Sequence, residues 1–336
     1  MPDRSHFFNP TNAPHYDPLK ERKTVFITGG NTGIGWYTAL HLYLHGYIIY
    51  MAGRTELKML KAFEDIKAEA QTRLGQMNAK EQYPVGELHY IYIDLLDLLT
   101  VPKAVDQFLA KERKLDILIG NAGIMGVPYK ITKDGYELQY QVNFVAHFLL
   151  TLKFIPTLLY TAKTTPEPPR IIILTSIGHN FAPLKHYKPE QNIKLNSFPN
   201  ALFTWVRYGL AKTADIQMIK ELSTKYPQIL SIAVHPGIIL GTELYNHWRN
   251  IPVVKYAANC VFDISDRVMG VSNEEGSFAT LRAAMDPNLN IKENSGDYFV
   301  TGGVVDKPSK NASNLEYAKE TWDWNVEELN KRGFDV

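Results

Sequence analysis

The stretch WVRYGLAKTA carries a phenol at Tyr208 and an ammonium at Lys212. Positions i and i+4 share one face of a helix, so both groups can point at one ligand. A free phenol, with a pKa near ~10, is a poor proton donor or acceptor at neutral pH. An ammonium about 5 Å away, at an effective dielectric near 20, favours phenolate by roughly 3 kcal/mol, or about two pKa units. Desolvation opposes part of that gain. The pair is therefore a candidate for proton transfer. Spacing alone selects nothing, because the chain has 19 tyrosines and the same spacing recurs at Tyr16–Lys20 and Tyr129–Lys133. Pro18 lies inside the first of these and would break a helix. The second falls in a loop with no strand-end serine before it. Ser176, at the end of the apolar run RIIILTS, does precede Tyr208.

The surrounding pattern shows what must hold these groups. TVFITGG (24–30), YIIYMAGR (47–54), LHYIYIDLL (88–96), LDILIGNAG (115–123), RIIILTS (170–176) and QILSIAVHPG (228–237) read as apolar strands, with GDYFVTGG (296–303) as a seventh. Helical periodicity fills the intervals. Strands that are apolar throughout and alternate with helices imply a parallel sheet covered on both faces. The expected fold class is thus α/β: one doubly wound domain over residues 23–336, with about seven strands. An extended, proline-containing arm (residues 1–22) precedes it. Ligands of such sheets bind at the carboxyl ends of the strands, where the glycines of TGG, AGR, NAG and HPG fall.

After the first strand, TGGNTGIG places Gly29, Gly33 and Gly35 at a strand-to-helix turn, with Asn31, Thr32 and Ile34 between and beside them. Such a turn lets the backbone approach a pyrophosphate, and the following helix aims N–H groups at the anion. An acidic residue ending the second strand would hold a ribose 2′-hydroxyl. That place is Gly53, followed by Arg54. A guanidinium pairs with a 2′-phosphate that a carboxylate would repel, so we expect NADP rather than NAD. Asp94, ending the third strand, is placed either to accept from an adenine amine or to cap the next helix. Asn121, Ala122 and Gly123 end the fourth strand; small residues there let an adenine ribose pass.

Taken in order, TGGNTGIG, GNAG, VNFVAHF, ILTSIG, YGLAK and HPG make residues 23–330 resemble the short-chain dehydrogenase/reductase family. The tail from Gly296 resembles that of fungal members of the retinol-dehydrogenase-like branch, which includes lipid-droplet proteins. The resemblance implies that Tyr208 is the catalytic tyrosine, Lys212 its partner, Ser176 the serine that orients the reacting oxygen and Asn143 a helper holding water for a proton relay. It also implies cofactor contacts at Gly29, Gly33, Gly35, Asp94, Asn121 and Gly123, with Pro236 and Gly237 of HPG beside them. The implied reaction moves hydride between NADPH and a carbonyl carbon while Tyr208 moves the proton. Three departures stand out. Gly120 replaces the usual first Asn of NNAG, Ser176 and Tyr208 are 32 positions apart, and Thr242 falls one residue later than the threonine that holds the nicotinamide amide.

Composition limits the partners. Net charge is +1, which gives no global field for nucleic acid. The single cysteine, Cys260, excludes an internal disulfide. The start lacks the apolar core of a signal peptide. Residues 142–160 are the longest apolar run, but Asn143, His147, Lys153 and Pro156 favour a buried core helix over a membrane span. We expect a cytoplasmic protein without a transmembrane helix or metal site. Segments 177–205 and 238–262 are read as the rim of a pocket for a lipophilic aldehyde, ketone or alcohol. In the second, Leu240, Leu244, Trp248 and Ile251 share one helical face, which suits either a lid or peripheral contact with a lipid-droplet or endoplasmic-reticulum surface. The resemblance makes a homodimer plausible. The rival reading is a catalytically silent nucleotide-binding regulator at a lipid surface.

Overall fold

The computed structural model describes residues 4–76, 83–182, 200–239 and 271–336. Strands β1 (Thr24–Thr28), β2 (Ile48–Gly53), β3 (Glu87–Tyr92), β4 (Ile117–Gly120), β5 (Arg170–Leu174), β6 (Leu230–Val234), β7 (Tyr298–Val300) and β8 (Val304–Asp306) form one sheet. Their order is β3-β2-β1-β4-β5-β6-β7-β8. The first seven run parallel and β8 pairs antiparallel with β7, residue Tyr298 opposite Asp306. The eighth strand was not expected. VVD is exposed throughout, so it lacks the apolar signature of the buried strands and owes its place to pairing at the sheet edge.

Side chains alternate across the sheet because successive residues of a strand face opposite ways. Phe26, Leu118, Ile171 and Ile173 face one way. There they meet α3 (Thr100–Leu109), α4 (Leu138–Thr164) and α5 (Asn200–Lys225). Phe26, Phe108 and Phe154 close this layer edge to face. Val25, Ile27, Ile49, Ile119, Ile172 and Val234 face the other way. They meet α1 (Gly33–Leu44), α2 (Glu56–Gly75) and α6 (Asn273–Met285). Helix α4 is the apolar run read above as a core helix. It is long and apolar enough to cross a membrane, yet 78% of its most apolar stretch is buried inside the domain.

Helices α1, α2 and α6 are tied by one carboxylate. Glu274 meets His41 Nε2 at 2.8 Å and accepts from Arg73 Nη1 at 2.6 Å. These hydrogen bonds, His41 first and Arg73 next, hold its carboxyl well down, to about 2 against an ordinary 4.5. A depressed carboxylate stabilises above its unfolded pKa and loses that contribution as pH falls through the folded value. Glu274→Gln is therefore expected to lower Tm by about 2–4 °C at pH 7, with the gap closing between about pH 4.5 and 2. Thermal melts of both proteins across that range check this.

The N-terminal arm is not a free extension. It makes two short 3-10 turns, Arg4–His6 and Pro10–Asn12. Arg4 pairs with Glu275, the Phe8 N–H donates to Gly302 O at 2.9 Å, and Tyr16 packs edge to face on Tyr47. Residues 4–16 thus strap α6, the turn after β7 and the start of β2 together. Tyr16–Lys20 forms no helix, as Pro18 dictates. Tyr129 lies under the Arg207 guanidinium and Lys133 pairs with Asp97, so this alternative couple is dispersed as well.

Candidate active site

Strand β1 pairs with β2 on one side and β4 on the other, which opens a crevice at their carboxyl ends. A cleft of about 500 Å³ lies there. Its lining includes Gly29, Asn31, Thr32, Gly33, Ile34 and Gly35 from the first turn, Arg54 after β2, Asn121, Ala122 and Gly123 after β4, and Tyr208, Lys212 and Pro236. These residues come from five places in the chain, whereas Asn143, Ser176 and Gly237, also expected at the site, are not among the lining residues. Sequence reasoning missed Thr55, Lys58 and Met59 of α2, and Ile124, Met125 and Val127 after β4. Lys58 was legible in principle, as a cation in the first turn of the helix that follows Arg54. Segment 183–199, Thr242 and nearly all of 238–262 lie outside the described residues, so the rim, lid and lipid-surface readings concern chain that is not described.

The glycine turn is built for close approach. Gly29 and Gly33 hold φ of 67° and 57°, where side chains are strained. A Cβ on Gly35 would stand 2.3 Å from Gly29 O and 2.5 Å from Asn121 Nδ2. Asn121 Nδ2 donates to Thr28 O at 2.8 Å and Gly29 O at 3.0 Å, so the β4 loop braces the β1 turn. Thr32, at the cap position of α1, gives the helix no side-chain hydrogen bond. The first N–H groups of α1 therefore face the cleft without a capping side chain, as an anion site requires. At the other rim, Arg54 and Lys58 are exposed beside the start of α2 and form no ion pair among the described residues. A Cβ on Gly53 would stand 2.6 Å from Met59 Cε, the tip of a flexible side chain that would have to move aside for a larger residue. Asp94 is absent from the lining. Its carboxylate accepts from Leu96 N at 3.1 Å inside the turn after β3, and the cap position of α3 is Leu99, so Asp94 does not cap the next helix as one reading had it.

A buried histidine replaces the missing asparagine tether. Thr28 Oγ1 accepts from the backbone N–H groups of Asn121 and Ala122, both at 3.0 Å. With both lone pairs used, its proton goes to His147 Nε2 at 2.8 Å. The network thereby assigns the tautomer: His147 Nδ1–H donates to Asn143 O at 3.1 Å. Burial, with the Lys212 charge adding to it, pushes the imidazole down to about 4, so it is neutral. Gly120 gives the ring its space, since a Cβ there would lie 3.0 Å from His147 Cδ2. Asn143 itself accepts from Ile124 N and donates to Ile124 O, both at 2.8 Å. The structure thus gives its side chain a bracing role on the β4 loop.

Tyr208 and Lys212 share one face of α5, as their spacing requires. The ammonium lies 5.8 Å from the Tyr208 ring centre and donates to Leu174 O at 2.7 Å and Asp215 Oδ2 at 2.9 Å. Ser176 Oγ accepts from Gly178 N at 3.1 Å and acts on the phenol to lower its pKa. The turn Ile177–Phe181 presses on the tyrosine so closely that a Cβ on Gly178 would stand 2.8 Å from Tyr208 Cε1. One expectation is overturned. Burial pushes the phenol up to about 12, and Ser176 offsets only part of that while Asp215 adds to it. A phenol and an ammonium taken as an isolated pair leave out the buried Asp215, whose negative charge sits beside the ammonium and counters its field.

The chain matches the short chain dehydrogenase family over residues 23–186. It is 34% identical to the short-chain dehydrogenase/reductase drtF of Aspergillus calidoustus, over 94% of this chain and 96% of that one. It is also 34% identical to retinol dehydrogenase 12 of Mus musculus, over 67% of this chain and 64% of that one. Among solved structures, an uncharacterised protein from Mycobacterium paratuberculosis superposes with a TM-score of 0.65 at 23% identity, covering 96% of this chain and 98% of that one, which shows a common fold. With 34% identity to drtF over nearly the whole chain, the protein belongs to the short-chain dehydrogenase/reductase family of oxidoreductases.

Proposed function

We propose that this protein interconverts a lipophilic carbonyl and its alcohol with NADP(H), Tyr208 serving as general acid and base. The observation that carries the reading is the single cleft that joins the glycine turn, the two rim cations and the Tyr208–Lys212 pair. The residues fit the cofactor. The α1 N-terminus and Gly35 suit a pyrophosphate, and Arg54 and Lys58 suit a 2′-phosphate beside the N-terminal end of α2. A nicotinamide bound there supplies the hydride chemistry. Tyr208 holds the proton that a carbonyl oxygen needs, and Ser176 is placed to orient that oxygen. Lys212 keeps a positive charge beside the phenol. Ile124, Met125 and Val127 in the cleft, with exposed Ile177 and Phe181 on the turn after Ser176, favour an apolar substrate.

The test is cofactor oxidation with aldehydes and ketones of rising chain length. We expect NADPH to outperform NADH. We expect kcat/KM to rise about fourfold per methylene until the pocket is full, from ~0.8 kcal/mol per buried CH2. Tight NADPH binding with no turnover on any carbonyl or alcohol would favour the nucleotide-binding regulator instead.

A further inference from the structure

Asp215 has no part in the expected chemistry, yet it sits at the centre of the site's electrostatics. It lies seven residues after Tyr208 and three after Lys212, on the same face of α5. Its side chain is completely buried, and Oδ2 takes the Lys212 ammonium at 2.9 Å in an ion pair that is itself buried. Oδ1 has no hydrogen-bond partner among the described residues. Keeping a carboxylate there is costly. Burial pushes its pKa up to about 6, with the Lys212 charge and hydrogen bond opposing, so the group is still ionised at neutral pH. The second Lys212 contact, Leu174 O at 2.7 Å, fixes the ammonium between α5 and the end of β5.

We infer that Asp215 is a positioning residue: it clamps the Lys212 ammonium against β5 and offsets the ammonium's field at Tyr208. This rests on the acid–base role proposed for Tyr208. The groups that bear on the arrangement are few. Lys212 is the charged partner of Asp215. Asp215 acts on Tyr208 to raise its pKa, and Ser176, just past β5, acts to lower it. Lys212 acts on His147 of α4, which is neutral. Among the described residues, no other charge is available to replace Asp215 in this balance. Burial and the Asp215 charge both favour the protonated phenol, the form that can donate to a carbonyl oxygen.

The test does not depend on turnover. Tyrosinate absorbance is titrated in the folded, cofactor-free wild type, Asp215→Asn and Asp215→Glu, each read as the difference from its own Tyr208→Phe counterpart. We expect Tyr208 to ionise about 1–2 pH units lower in D215N, and D215E to return it to the wild-type position. An unchanged midpoint in D215N overturns the inference, as does a D215E titration that follows D215N. Should D215N not fold, Asp215→Ser removes the same charge, leaves room for water beside Lys212 and is read in the same way. Alcohol oxidation with NADP+ should then show its alkaline limb displaced downward by the same interval in D215N. A loss of rate with an unmoved limb marks a purely structural role and sinks the proposal. A shifted titration with no turnover in any protein would uphold Asp215 and dismiss the oxidoreductase reading.

Discussion

Tyr208→Phe is expected to cut carbonyl reduction by about 10²–10⁴-fold, the usual worth of a positioned general acid, while NADPH affinity stays nearly unchanged. The substitution removes one oxygen and keeps the ring that packs against the Ile177–Phe181 turn. The tyrosine is 5% exposed, and burial holds it protonated at neutral pH, so it is a donor in the reduction direction. Removing the hydroxyl leaves the carbonyl oxygen with Ser176 and no proton source at the correct distance. Single-turnover rates and cofactor fluorescence, measured side by side, separate the chemical step from binding. A Tyr208→Phe protein with wild-type turnover and normal NADPH binding would end the proposed mechanism.

The double variant Arg54→Ala, Lys58→Ala is expected to weaken NADPH binding by about 10- to 100-fold and to leave NADH binding within a small factor. Charge-assisted hydrogen bonds contribute about 1.5–3 kcal/mol each. Both cations are exposed, so solvent screening reduces that figure. The effect should shrink further at high salt, as it does for surface charges. Selectivity is the deciding quantity. A cation that merely solubilised the rim would alter both cofactors equally or neither. Titration calorimetry with the two reduced cofactors at low and high salt measures it, and equal losses for both would remove the case for NADP.

Much of this protein was legible before its structure. Each buried strand is a run of apolar residues long enough to be recognised locally, and each glycine turn follows one at a fixed offset. Tyr208 and Lys212 share a face through helix geometry alone. Asp215 was legible in the same way, since position i+7 returns to that face, but nothing local says that it is buried or that it meets the ammonium. The eighth strand escaped notice because VVD is exposed on every residue and pairs only at an edge.

The parts that spacing could not supply all depend on distant chain. Thr28 meets His147 across 119 positions, and Asn143 meets Ile124 across 19. The arm reaches Glu275 and Gly302 from the opposite terminus. Such contacts form only when the sheet is assembled, so their side chains carry no local mark of their partners. The same holds for the protonation of Tyr208. Composition and periodicity determine which residues lie in the cleft, because backbone geometry and apolar patterning are local properties. The proton affinity of the phenol was decided by the fold, because it depends on how completely water is excluded and on which buried charge lies beside the lysine.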